Sequence, residues 1–328
     1  MGESISLKYN CFIIVITKMH IVTKKSRRII FAPLIILTQW LGENFPVLLV
    51  KIRYFARFHK RVNLKDPKDL NEKILYLKLF TDTSKWEYCS DKYLVREYVK
   101  SCGMEGILVK LYGVWYKPED FSLRDMPNSF MLKANNGAGN GSNLKVDNKN
   151  DFDENKLKSK MKEWLNEKHI GATSAEPQFR NTKPCVIAEE LLPIENGKKS
   201  VEDYKIWCFN GKVHYIWVCS DRDNDGTDVM LYNTKWEAKP EYCIFTSRYR
   251  KGTIIPAPKN LETMIKAAEA LAAPFPELRV DLYNIDGKVY FGEMTFTSQA
   301  GMMDFYTQEF LSMAGDLVDL SGVKKINN

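Results

Sequence analysis

Residues 278–296 read LRVDLYNIDGKVYFGEMTF. Two runs of aliphatic and aromatic side chains flank Asp-Gly-Lys at 286–288, the tight-turn signal of a β-hairpin. Successive side chains on a strand alternate between faces, so Arg279 and Asp281 share one face of the first strand, as Glu293 and Thr295 do on the second. A carboxylate on each of two paired strands, set among Val280, Leu282, Phe291 and Met294, is expensive to bury unless something cationic sits between. Magnesium holding a nucleotide is the natural occupant. The competing reading is a solvated sheet face on which Arg279 pairs with Glu293.

Working outward, YKIWCFNGKVHYIWVCS (204–220) is a second hairpin around Asn-Gly-Lys at 210–212, and SFMLKAN (129–135), NLKVD (143–147) and CVIAEELL (185–192) are strand-like. Helical spacing of apolar residues marks 70–80 and 91–103, the latter with Asp91 as N-cap and Gly103 as its stop, and recurs at 154–168 and 260–273. Helices flanking antiparallel hairpins predict an α+β fold rather than a doubly wound parallel sheet.

Three further segments bear on chemistry. In KANNGAGNGS (133–142), Gly137, Gly139 and Gly141 let backbone N–H groups approach an anion, and Lys133 adds a positive charge. A dinucleotide fingerprint needs a helix directly after the glycines, but NLKVD reads as a strand, so a hairpin lid over phosphates is expected. Glu189 and Glu190 end a strongly apolar strand, a place where backbone groups can meet an adenine edge and a carboxylate a ribose. SDRDNDGTD (220–228) opens like a calcium loop, with Asp221, Asp223 and Asp225 before Gly226, but Tyr232 stands where the closing Glu is required, and that reading fails.

The chain has 328 residues, 45% hydrophobic, 12% aromatic and 27% charged, which excludes a disordered or collagenous protein and suggests about two domains or lobes. Its seven cysteines include no C-x-x-C pair, so a disulfide framework and a zinc site are both unsupported and a reducing, cytoplasmic compartment is expected. The net charge of +7 is uneven: through Arg61, eleven Lys and Arg face only Glu3 and Glu43, leaving the remainder slightly acidic. A nucleic-acid partner is therefore not expected of the body. CFIIVI (11–16), IIFAPLIILTQWL (29–41) and FPVLLV (45–50) are each shorter than the roughly 20 residues of a spanning helix. They suit either helices docked on the body or peripheral contact with the inner membrane leaflet, where Trp40, Tyr54 and Phe55 sit among cations.

Taken in order, Lys92 in SDKYLVREYV, PNSFMLKANNGAGN, KPCVIAEELL, DYKIWCFNGKVHYI, SDRD and FPELRVDLYNIDGKVYFGEMTFT resemble the ATP-grasp superfamily, and more closely the TupA-like (teichuronopeptide-biosynthesis) ATP-grasp family; LNEKILYLKLF and LYGVW add to the likeness, which runs from about residue 63 to 310. The resemblance implies ATP clamped between two antiparallel α+β subdomains. It divides the chain into a basic region 1–62, a helical pre-grasp part 63–126, a small subdomain 127–192 carrying the glycine loop, and a large subdomain 193–328 carrying the metal site.

By that resemblance Lys92 and Lys133 hold phosphate oxygens, and the loop of Asn136, Gly137, Gly139, Gly141 and Ser142 closes over them. Glu189, Glu190, Leu191 and Leu192 line adenine and ribose, with Asp203 and Lys205 on the facing hairpin. Asp281, Glu293 and Thr295 ligate magnesium, and Arg279 faces an acyl phosphate, giving Arg279 and Lys205 catalytic roles. The implied activity is ADP-forming ligation of a carboxylate to an amine in bacterial surface or capsular polysaccharide assembly, the partners being an amino acid or amine and a carboxylate-bearing or amino sugar. A polysaccharide glycosyltransferase and an inactive ATP-binding protein are the alternatives. Two departures from the family pattern stand out: Thr295 occupies a position where many ATP-grasp enzymes carry Asn, and TSQAGMMDFY replaces a proline-glycine-rich segment.

Overall fold

The computed structural model describes residues 24–137, 141–195 and 197–326. The run CFIIVI (11–16) and Gly139 lie outside them. The chain divides into two compact units, one made of the residues up to Val62 with Ala172–Ala175, the other of Asn63–Gly171 and Glu176–Asn328.

In the first unit, α1 (Lys24–Asn44) and α2 (Pro46–Phe58) carry two of the apolar runs. Pro46 opens α2, where a missing N–H costs nothing. Leu49, Val50 and Tyr54 form its buried face, and Arg53 donates to the carbonyl of Thr173. No described helix is long and apolar enough to cross a membrane.

The second unit opens with α3 (Leu70–Phe80), α4 (Ser84–Ser90) and α5 (Val95–Ser101). The Asp69 carboxylate caps α3 by accepting from the backbone of Glu72. Asp91 does the same for the turn before α5, accepting from Tyr93 and Leu94. A small antiparallel sheet follows, built from β1 (Leu111–Trp115), β2 (Phe130–Ala134), β3 (Asn143–Val146) and β4 (Val186–Glu189) in the order β1-β4-β2-β3. α6 (Glu154–Leu165) lays Leu157, Met161 and Trp164 against Phe130, Leu132 and Val146 of that sheet. The sequence reading placed residues 111–115 in a helical front; they are instead the edge strand paired with β4. Gly113 and a register shift after Leu111 blur the alternation that would have marked them.

The larger sheet runs β10-β9-β5-β6-β7-β8, from β5 (Asp203–Phe209), β6 (Lys212–Ser220), β7 (Thr227–Asn233), β8 (Tyr249–Lys251), β9 (Glu277–Ile285) and β10 (Lys288–Thr295). All its pairs are antiparallel except β7–β8. Both expected hairpin turns form with left-handed backbone, Asn210 and Gly211 at φ 48° and 75°, Asp286 and Gly287 at 50° and 79°. Even-numbered residues of β5 and β9, among them Ile206, Cys208, Val280 and Leu282, pack under α7 (Leu261–Ala272). On the other face, Trp207, Phe209 and Trp217 meet α8 (Gln308–Asp316) through Phe310, Leu311 and Ala314. The six described cysteines are free, and burial raises the thiols of Cys89, Cys185 and Cys243 to about 12.

One irregularity sets the positions that matter. Phe291 stands opposite Leu282, but the next pair is Glu293 with Asp281, so Gly292 is an extra residue, a β-bulge. The bulge flips the parity of β10: Phe291 and Met294 both enter the core although three residues apart, and Glu293 comes to the face of Asp281. A Cβ on Gly292 would lie 2.8 Å from the Asp281 carbonyl oxygen. Gly292→Ala is therefore expected to destabilise the protein by about 1–3 kcal/mol through overpacking, read as a lower Tm; an unchanged Tm would show that the bulge tolerates a side chain.

Candidate functional site

Three strands bring the charged residues of the larger sheet into line. Lys205 on β5 is opposite Asp281 on β9, which is opposite Glu293 on β10; one step away, Arg279 is opposite Thr295. Cross-strand partners share a face, so the register alone gathers these side chains. Asp281, 2% exposed, accepts from Arg279 Nε at 2.7 Å and Nη2 at 2.8 Å and from Lys205 Nζ at 2.5 Å. Lys205 also bridges to Asp203 at 2.6 Å. Burial opposes both charged partners, yet Arg279 and Lys205 hold Asp281 below the usual carboxylate range, while Asp203 and Asp281 hold Lys205 above the usual ammonium range.

Glu293 differs from these buried groups. Its side chain is 49% exposed, accepts from the Thr295 hydroxyl at 3.2 Å, and lies 3.6 Å from Arg279 Nη2. Arg279 Nη2 also reaches Thr295, and Nη1 donates to Ser298 at 2.7 Å. The competing reading of an Arg279–Glu293 pair is thus present only as a long contact beside the much tighter one to Asp281. Among the described residues no three His, Cys, Asp or Glu side chains gather into a ready metal cage. The donors at hand are oxygens, Glu293, Thr295 and Asp281, as a hard cation requires. Asp203 Oδ1, buried without a partner, adds an acceptor with unspent capacity. This set fits magnesium carried in with a polyphosphate better than a cation held by the protein alone.

The second part of the site is built around the small sheet. Lys133, on β2, donates to Glu189 Oε2 at 2.7 Å, and Arg96 of α5 takes Glu189 Oε1 at 2.9 Å. Glu189, expected beside the adenine and ribose, has both oxygens engaged by these bonds and so aims two cations. Glu190, Leu191 and Leu192 follow the end of β4, Glu190 giving its N–H to the Lys110 carbonyl and both leucines half-buried. Lys92 donates to the Gly137 carbonyl at 2.6 Å, and its backbone N–H bonds to Asn135. Asn135 in turn donates to Asp91 Oδ2 at 2.6 Å, which ties the Asp-Lys-Tyr turn to the end of β2. Burial, reinforced by Lys133 and opposed by Glu293, pulls Lys92 below the ordinary lysine range. Lys92 therefore feels Glu293 of the larger sheet and Lys133 and Glu189 of the smaller one.

The glycine segment is a strand connection, as its sequence implied: Ala134 and Ser142 bond across its base at 2.8 Å. A Cβ on Gly137 would fall 2.0 Å from that of Ser142, so only glycine fits this narrowing. Asn136 keeps a buried Oδ1 with no partner, and the Gly141 carbonyl accepts from Trp164. The sequence reading missed Arg96 and Arg222, which reaches Asp203 at 3.4 Å. Arg96 stands four residues after Lys92, one helical turn, which was the available signal. The acidic run at 220–228 is committed elsewhere: Asp223 binds Arg250 and Lys199, and Asp228 binds Arg250.

A four-stranded and a six-stranded sheet, the larger ending in a carboxylate-bearing hairpin, make an α+β fold of the ATP-grasp class. The chain belongs to the TupA-like ATP-grasp family, whose profile matches residues 72–319. Among solved structures it is similar to a D-alanine–D-alanine ligase from Bacillus anthracis, 16% identical over 72% of this chain and 66% of that one, with a TM-score of 0.43. It is also similar to a D-alanine–D-alanine ligase from Helicobacter pylori, 15% identical over 77% and 70% with a TM-score of 0.39. An L-amino acid ligase from Bacillus licheniformis is 13% identical over 74% and 49%, with a TM-score of 0.41. The chain thus spans less than two thirds of the first and last of these. No curated protein matches its sequence.

Asp281→Asn removes the counter-charge of two largely buried cations and is expected to cost about 3–5 kcal/mol of stability at pH 7. The sign with pH follows from the lowered folded pKa: Asp281 contributes fully above its unfolded value near 3.8 and loses that contribution as pH falls through the lower folded value. Urea unfolding of both proteins checks this, because the difference between them should shrink only below about pH 4; a difference independent of pH would remove the ion-pair account.

Proposed function

We propose that the protein is an ATP- and magnesium-dependent, ADP-forming carboxylate–amine ligase of bacterial surface or capsular polysaccharide assembly. Membership of an ATP-grasp family supports the nucleotide and the ligase class. The observation that carries the reading further is the line Lys205–Asp281–Glu293 across three strands, with a half-exposed Glu293 within the field of Lys92.

In this reading Lys92 and Lys133 bind phosphate oxygens, Lys133 held in aim by Glu189. Glu190 to Leu192 and the strand end line the base, and Asn136, Gly137, Gly141 and Ser142 border the phosphates. Asp281, Glu293 and Thr295 would hold magnesium, which when bound supplies positive charge to the transferring phosphoryl group. Arg279, clamped by Asp281 and Ser298, presents a fixed guanidinium to the anion that forms. Lys205, locked between Asp203 and Asp281, stays cationic throughout. The substrate carboxylate attacks the γ-phosphorus as the bond to ADP breaks; an amine then attacks the acyl carbon, loses a proton, and phosphate leaves. The sugar-linked acid or amine is the substrate class that fits the family's place in surface-polymer assembly. A nucleotide-sugar transferase would need a free Asp-x-Asp pair, and Asp223 is already bound to Arg250.

The deciding assay is magnesium-dependent ADP release across a panel of amino acids, amines and uronic or amino sugars. Glu293→Gln is expected to lower the rate by about 100-fold or more, equivalent to about 3 kcal/mol of transition-state stabilisation, at unchanged Tm because its side chain is half-exposed. A Glu293→Gln rate close to that of the native protein would overturn the assignment.

A further inference from the structure

The two helices of the first unit carry a cluster of large apolar side chains exposed to solvent. On α1, Ile36, Leu37 and Trp40 are 64%, 44% and 49% exposed, and their spacing with Pro33 places them on one helical face. On α2, Leu48 and Phe55 are 48% and 43% exposed, two turns apart, on the side away from the buried Leu49, Val50 and Tyr54. Phe45 joins the two stripes, itself 49% exposed and packed on Trp40 with ring centroids 5.2 Å apart.

The charges along this segment have nearly one sign. From Lys24 to Val62 nine Lys and Arg accompany the single Glu43. Lys51 is exposed between Leu48 and Phe55, and Arg57, Lys60 and Arg61 are exposed just beyond. A protein partner whose apolar surface matched the stripe would also need a broad acidic rim. An anionic bilayer provides both requirements at once, an acyl boundary for aromatic and aliphatic side chains and headgroups for cations. Neither helix is long and apolar enough to cross the membrane, so the fitting geometry lies in the plane of the interface.

We propose that the face formed by Ile36, Leu37, Trp40, Phe45, Leu48 and Phe55 docks on the surface of an anionic phospholipid bilayer. This inference is independent of the ligase reading. It is tested by flotation of the full-length protein with phosphatidylcholine vesicles and with vesicles containing about one third phosphatidylglycerol. Binding should require the anionic lipid and fall about tenfold or more between low salt and 0.5 M salt. Trp40→Ser with Leu48→Ser should abolish it while leaving ADP release with a soluble acceptor unchanged, and Lys51→Glu with Arg61→Glu should weaken it about tenfold. Equal binding to both vesicle types, or none to either, overturns the proposal. So does a native dimer in sedimentation that the Trp40 and Leu48 substitutions convert to monomer without any lipid binding, since a second copy would then cover the face.

Discussion

The bond pattern around Asp281 is the constraint from which the rest of the site takes its shape. A buried carboxylate is tolerable only when its charge is matched, and here two cations reach it from the same face of the sheet, Arg279 from its own strand and Lys205 from the next. Each of those cations is itself fastened, Lys205 by Asp203 and Arg279 by Thr295 and Ser298. The registers of β5, β9 and β10 cannot slip by one residue without turning all of these groups into the apolar layer under α7. The gathering of these charges and the fold therefore depend on the same pairing.

Glu293 is the complement of that arrangement. It shares the face through the bulge at Gly292, yet it is left half-exposed, with a hydroxyl and a distant guanidinium as neighbours. Asp281 thus organises the cations, while Glu293 is held at the surface with capacity to spare. On the opposite sheet Glu189 repeats the first role, gathering Lys133 and Arg96.

Much of this was legible in the residues. The two Gly-Lys turns, the alternation in 277–285 and the strand after the glycine loop each carry a local physical signal, and each element formed where that signal lay. The roles of Arg279 and Asp281 as same-face neighbours followed from a period of two. What escaped notice depended on partners distant in sequence. β1 is short and holds a glycine, so its strand character comes from pairing with β4. The Glu189 carboxylate reads as a free strand-end acid until Arg96, 93 residues earlier, is folded against it. β7 follows an acidic loop and is covered on both faces, Met230 and Tyr232 on one and Val229 and Leu231 on the other, so its short apolar run has no alternation to mark it.

The buried thiols have a use beyond what they say about compartment. Cys208 lies in the layer under α7 and Cys219 in the layer under α8, on neighbouring strands, while Cys185 sits beside the Asn135 bond that seats Lys92. Burial holds all three largely as neutral thiols, Cys219 near 11 and Cys185 near 12, so an alkylating reagent has almost no thiolate to attack in the closed protein. Labelling at each position is consequently a clock for the opening of one particular layer. The order in which the three sulfurs become modified would map which face of the larger sheet, or whether the turn carrying Lys92, breathes first.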